Sequence, residues 1–174
     1  EIDILINNAG VSAWSGVEET NFKVNQDVMT LDFYSIVKLT KSILPSMISR
    51  KSGQIVSVSS LLGKFAIKKR SVYASAKHAL QGFMDALRAE VYEHNIKVNT
   101  VAPGYVETEV GIKALTGDGS EYGANDRGHD TKGMKADTAA NIIIKAIAKN
   151  KREHYVIPLL SFSRFALYLA RFAP

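Results

Sequence analysis

Tyr73 and Lys77 stand four residues apart in the segment Tyr-Ala-Ser-Ala-Lys. On a helix that spacing puts both side chains on the same face. A tyrosine hydroxyl ordinarily titrates near ~10, too high to exchange protons freely at neutral pH. A neighbouring ammonium favours the phenolate, so the pair is a chemically sensible acid/base device. The spacing alone is weak evidence. With 7 tyrosines and 15 lysines among 174 residues, about 0.6 such pairs arise by chance. A second pair, Tyr34 and Lys38, is in fact present. Context separates the two. Tyr73 follows a β-rich run that ends in Ser59-Ser60, and its small neighbours Ala74, Ser75 and Ala76 allow a ligand or a helix to come close. Tyr34 lies mid-helix with no strand end near it in sequence. Ser60 precedes Tyr73 by 13 residues. Its hydroxyl could donate to a substrate carbonyl and stabilise developing negative charge, although a lone strand-end serine more often bonds to a turn.

The elements that must position these groups read as alternating strands and helices. The apolar run at residues 2–6 stops at Asn7-Asn8-Ala9-Gly10, the pattern of a buried strand entering a tight turn. Residues 22–50 read as one long helix whose core face carries Val28, Leu31, Ile36, Leu39, Ile43 and Met47, bent near its end by Pro45. Residues 54–60 form the next strand. A second helix spans residues 71–94, with Val72, Ala76, Ala79, Leu80, Phe83, Leu87 and Val91 on one stripe. A strand at 97–102 is stopped by Pro103-Gly104. Residues 111–133 hold six glycines and are too long for an ordinary connection, so they read as either a functional lid or a disordered segment. A helix at 137–149, capped by Asp137 or Thr138, and a short strand at 155–157 follow. This alternation implies crossover units, hence an α/β chain with a doubly wound, Rossmann-like parallel sheet. Ligands in such sheets sit beyond the carboxyl ends of the strands. Residues 7–10, Ser59-Ser60 and Pro103-Gly104 then face one crevice.

Composition sets outer bounds. Apolar residues make up 46% and charged residues 22%, as in a packed domain. The chain has no cysteine, which excludes disulfides, thiolate metal sites and a cysteine nucleophile. No run of 18 apolar residues signals a membrane span. The four histidines lack metal-ligand spacing, so no metal is expected. The formal charge of +5 is mild, and no nucleic-acid-binding pattern accompanies it. The basic cluster Lys64, Lys68, Lys69 and Arg70 reads as a solvated loop, with a membrane surface or an anionic substrate tail as the sharper reading. Trp14 and Phe65 suit a substrate pocket or the core equally. Near the C-terminus, Phe162, Phe165, Leu169 and Phe172 recur at helical spacing beside Arg164 and Arg171. That pattern suits either an amphipathic membrane-surface helix or a packing helix. The chain opens on Glu1 and reads as a fragment or processed product.

Taken together, Asn7-Asn8-Ala9-Gly10, Ser60, Tyr73-x-x-x-Lys77 and Pro103-Gly104 followed by Thr108 resemble the short-chain dehydrogenase/reductase family, in that family's order and spacing. The resemblance covers essentially the whole chain. It is strongest toward the dehydrogenase/reductase member 7 group, in particular its 7B-like branch, with steroid 11-beta-dehydrogenases as neighbours. Ser-Val-Ser-Ser-Leu-Leu-Gly-Lys at 57–64, Leu-Thr-Gly-Asp-Gly-Ser at 115–120 and the segment 168–174 carry the narrower match.

The resemblance implies an NADP(H)- or NAD(H)-dependent oxidoreductase, NADP slightly favoured, acting on a lipophilic carbonyl or secondary alcohol such as a steroid, retinoid or lipid. Tyr73 would transfer the proton. Lys77 would bond the nicotinamide ribose and lower the tyrosine's pKa, and Ser60 would polarise the carbonyl. Asn8, Ala9 and Gly10 would line the cofactor cleft. Pro103, Gly104, Val106 and Thr108 would pack around the nicotinamide, and residues 111–133 would form a substrate lid. It further implies a homodimer and association with the endoplasmic reticulum membrane, a cytoplasmic location being the other reading. Residues 1–174 would then be the C-terminal two-thirds of one dinucleotide-binding domain, with the first strands and the glycine-rich phosphate turn upstream of Glu1. Asp32 stands where the family usually has an asparagine of the proton relay, which adds charge near Lys77. That substitution, and the phosphate turn outside the chain, support a rival reading: a non-catalytic binding or interaction module on a dehydrogenase scaffold.

Overall fold

A computed structural model describes residues 1–123, 133–158 and 162–172 of the chain. Four strands, β1 (Ile4–Asn7), β2 (Gly53–Val58), β3 (Ile96–Pro103) and a later strand at Glu153–Val156, form a sheet in that order with every neighbouring pair parallel. The register sets Asn7 beside Ser57, Val58 beside Val101 and Pro103 beside Val156. The carboxyl ends of all four strands therefore lie along one edge. Two two-residue strands, β4 (Val106–Glu107) and β5 (Met134–Lys135), pair parallel beside it and make the Glu153–Val156 strand β6. The two short strands are too brief to show a period in the sequence.

Helices cover both faces, as a doubly wound sheet requires. The first, α1 (Phe22–Met29), runs through a π-helical turn, Thr30–Tyr34, into α2 (Ser35–Arg50). With α3 (Ser71–Glu90), α2 buries Ile36, Met47, Leu80, Met84 and Leu87 against Ile55, Ile96 and Val98 of the sheet. On the other face α4 (Ala136–Ala148) brings Ile147 onto Val56 and Val101. Ile55 and Val56 point to opposite layers because successive strand side chains alternate. A last helix, α5 (Phe162–Phe172), docks through Leu167 beside Leu61, Ala102 and Ile157. Its Phe165, Leu169 and Phe172 are exposed.

Several expectations change in detail. Within residues 1–174, β1 stands at one end of the four-stranded order, with Ile4 and Ile6 about half exposed at 49% and 51%. On the long helix, Leu31 and Leu39 face solvent at 39% and 52%. The π turn inserts one extra residue, so the buried stripe steps by four through Val24, Val28, Asp32, Ile36 and Thr40 before reaching Met47. The helix α4 has Lys135 at its N-cap with no side-chain cap, so neither Asp137 nor Thr138 caps it. Of the segment 111–133, residues 124–132 lie outside the described residues. Its first half is held in place: Leu115 bridges to Ala13 and to Glu121, and Asn21 N–H donates to the Gly117 carbonyl.

Candidate active site

The site starts where β1 ends. Asn7 is buried and its side-chain amide donates to Ser57 Oγ at 3.3 Å, which ties the ends of β1 and β2 together. The chain then surfaces at Asn8, Ala9 and Gly10, all exposed. At Val11 the backbone N–H donates to Asp32 Oδ1 at 2.8 Å. Asp32 sits in the π turn of the long helix and is fully buried. Single π turns inside α-helices recur at functional sites. This one turns the carboxylate inward toward α3.

From α3 comes Lys77, whose Nζ lies 3.1 Å from Asp32 Oδ2 with the lysine side chain 4% exposed. The half-buried Tyr73 lies one turn earlier, its ring centroid 5.5 Å from the same Nζ. Gly10 closes the group. A Cβ there would stand 3.2 Å from Lys77 Nζ and 3.3 Å from both Asp32 oxygens, so the missing side chain keeps the approach to the ion pair open. Burial pushes the Asp32 carboxyl above the ordinary carboxylate range. The Lys77 ammonium and the Val11 amide oppose that rise. The decoy pair separates as its context suggested, for Tyr34 and Lys38 are both exposed.

Ser60 follows β2 and caps a 3₁₀ turn, Leu61–Gly63, its Oγ accepting from Leu62 N–H at 3.1 Å. This is the turn-bonding fate of a strand-end serine, yet the hydroxyl's own proton is not used in that bond. The turn presses on α3 at Gly63, where a Cβ would come within 2.8 Å of the Lys77 carbonyl oxygen and of Ser59 Oγ. Glycine at 63 thus sets how closely Ser60 approaches the Tyr73–Lys77 helix. Pro103 and Gly104 end β3. Gly104 N–H donates to Val156 O at 3.1 Å, and a Cβ on it would meet Ile157 at 2.6 Å and Leu61 at 3.4 Å. Val106 is half-buried on β4 and Thr108 is exposed. Asp32, Lys77, Tyr73 and Gly10 therefore come together directly. Ser60 and Gly104 flank them through Gly63 and Leu61, whereas Val106 and Thr108 follow Gly104 in sequence on and just past β4.

Two features have no clear mark in the sequence. The π turn has no residue signature of its own. Arg70, grouped with a solvated basic loop, is buried at 7% exposure, whereas Lys68 and Lys69 are exposed as expected and Lys64 pairs with Glu153 at 2.6 Å. Its position three residues before Tyr73 was the available signal. Among the described residues, no group of three or more His, Asp or Glu is placed to hold a metal ion, and no helix is long and apolar enough to cross a membrane.

The family profile for short chain dehydrogenases matches residues 1–118. Dehydrogenase/reductase SDR family member 7B of Mus musculus is 41% identical over 99% of this chain and 53% of its own length. The chain spans about half the length of the curated relatives it matches. A short-chain dehydrogenase from Sphingobium yanoikuyae, solved in complex with NADPH, shares the fold with a TM-score of 0.81 at 23% identity, over 98% of this chain and 63% of that one. A gluconate 5-dehydrogenase from Burkholderia cenocepacia, solved with NADP and tartrate, is 28% identical with a TM-score of 0.61, over 63% of this chain and 43% of that one.

Proposed function

Because the chain belongs to the short-chain dehydrogenase/reductase family, we propose that it carries the catalytic end of a nicotinamide-dinucleotide-dependent oxidoreductase acting on a carbonyl or secondary alcohol. The single observation behind this reading is the buried Asp32–Lys77 pair set beside Tyr73 at the mouth of β1. The residues present fit the nicotinamide end of such a cofactor. Asn8, Ala9 and Gly10 offer exposed backbone at a strand's carboxyl end, and Gly10 leaves the cradle above Lys77 that a Cβ would fill. They, with Lys77, Pro103, Gly104, Val106 and Thr108, are the residues that would hold it. NADP is favoured because the gluconate 5-dehydrogenase relative holds NADP. When bound, the cofactor supplies hydride to a carbonyl carbon or takes it from an alcohol carbon.

The chain's own residues handle orientation and the proton. Ser60 directs its unused hydroxyl proton at the substrate oxygen. In reduction the Tyr73 hydroxyl gives its proton to that oxygen as negative charge develops there, and in oxidation the phenolate takes the proton back. The Lys77 ammonium stabilises the phenolate left behind. Asp32 in turn holds Lys77 in place. The substrate is lipophilic, the protein is a homodimer, and it works at the endoplasmic reticulum membrane; the exposed Phe165, Leu169 and Phe172 of α5 support contact with an apolar surface. The experiment is a fluorescence titration of NADPH and NADH against residues 1–174 and against the full-length protein. Saturable binding by the full-length protein, tighter for NADPH, is expected. Failure of the full-length protein to bind either nucleotide would favour the non-catalytic scaffold reading.

A further inference from the structure

Arg70 is the last residue before α3 and lies one turn ahead of Tyr73. Its guanidinium is buried, which is uncommon for an arginine without partners. It donates to Ser12 Oγ and, at 3.1 Å, to the Ala13 carbonyl. Its carbon stands 4.5 Å from the centre of the Trp14 ring, within cation–π range. Trp14 in turn meets Tyr122 with ring centroids 6.2 Å apart at 47°. Backbone bonds bind the same segments: Trp14 N–H to Leu115 O at 2.8 Å, Leu115 N–H to Ser12 O at 2.8 Å, and Ser15 N–H to Lys69 O at 3.1 Å. Beneath them Ala13 packs with Val72 and Ala76, the residues that flank Tyr73 and Lys77 toward the core, and Leu115 joins the same cluster. Three stretches distant in sequence, residues 12–15, 67–71 and 114–122, thus meet around one cation and one indole.

We propose that Arg70 is a positioning residue: its guanidinium and the Trp14 ring clamp residues 114–122 onto the start of α3, and this clamp forms the wall that limits the bulk of a substrate carbonyl at Tyr73. The proposal rests on Tyr73 being the reacting residue. The guanidinium suits the task because its planar fork can donate in the ring plane to Ser12 and Ala13 while its face lies on the indole. A lysine at position 70 keeps the charge and a donor but loses the flat face.

The test uses the full-length protein and the variants Arg70→Met, Arg70→Lys and Tyr122→Ala, and reads two quantities. The first is amide hydrogen exchange. Arg70→Met is expected to speed exchange across residues 12–15 and 114–122 by about tenfold while α3 and β3 keep their protection. Tyr122→Ala, at a half-buried site, serves if Arg70→Met does not fold. The second is steady-state reduction of 2-decanone with NADPH. KM is expected to rise about fivefold or more with kcat within about twofold, and Arg70→Lys is expected to recover part of the loss. Unchanged exchange, or acceleration spread evenly over the sheet, overturns the clamp. Unchanged KM beside a lowered kcat overturns its role in the substrate wall. If the full-length protein reduces no ketone, the oxidoreductase reading fails while the exchange measurement still decides the clamp.

Discussion

The Lys77 ammonium and the Asp32 carboxylate face each other at 3.1 Å, one from α3 and the other from a π turn, both almost wholly out of water. A buried ion pair of this kind is weak evidence for stability, because desolvation offsets its attraction. Its place beside Tyr73 and Gly10 gives it a different meaning. It fixes a cation where a phenolate and a ribose would both need one, and it makes the long helix, the β1 exit and α3 meet at one point.

The titration of Asp32 follows from its burial. Burial raises its pKa above 3.8, against the pull of Lys77. Folding therefore favours the protonated form, and the native chain binds more protons here than the unfolded one between the ordinary value and the raised one. Stability falls as pH rises through that window and is level above it. Asp32→Asn removes the slope. The melting temperature of the parent minus that of Asp32→Asn is expected to be largest in acid and to decline toward neutrality, measured from about pH 4 to pH 8. A difference that grows with pH would mean that folding favours the carboxylate.

The contact at Gly63 predicts a positional effect. A methyl group there would sit 2.8 Å from the Lys77 carbonyl and from Ser59 Oγ. Gly63→Ala must push the Ser60 turn off α3, at about 1–3 kcal/mol of stability. Turnover should fall further than the loss of folded protein accounts for, because Ser60 moves with the turn. Denaturant melts and activity per folded molecule separate the two effects, and undiminished specific activity would show that Ser60's position is unimportant.

At Gly10 the neighbour is the ion pair itself. Gly10→Ala places its Cβ 3.2 Å from Lys77 Nζ, tighter than ordinary contact, and covers the cradle assigned to the nicotinamide ribose. NADPH affinity of the full-length protein is expected to drop about tenfold, or roughly 1.4 kcal/mol, while the melting temperature changes little because Gly10 is exposed. Fluorescence titration reads it, and unchanged affinity would remove Gly10 from the cleft.

Leu80, one turn beyond Lys77 on α3, tests the packing that holds this helix to the sheet. Leu80 is fully buried among Ile36, Met84 and Ile55. Leu80→Ala should cost about 2–5 kcal/mol in urea unfolding. A loss below about 1 kcal/mol would mean that α3 is not clamped to the sheet as described.

Periodicity makes the parallel α/β frame readable from the residues alone, since buried strands and one-faced helices each write a different repeat. Tyr73, Lys77 and Ser60 are legible because an apolar strand end, a glycine-bearing turn and a fixed spacing coincide. Asp32 is legible only through the resemblance. Its π turn is not, because a wider helical turn depends on what the extra residue reaches, here Val11 N–H and Lys77. The same turn moves Leu31 and Leu39 to the surface, where a regular helix would have buried them. Arg70 is hidden by its basic neighbours. Charge runs usually mean solvent, and only the fold reveals that its guanidinium lies on Trp14.

The most direct test is NADPH-dependent reduction of a ketone by the full-length protein, with and without Tyr73→Phe, alongside NADPH affinity for both. The variant keeps the ring beside Lys77 and removes only the transferable proton. NADPH affinity is expected within about twofold of the parent and turnover lowered by about 10²–10⁴-fold, the scale of a lost general acid. Turnover near the parent's level in Tyr73→Phe would contradict the role assigned to Tyr73.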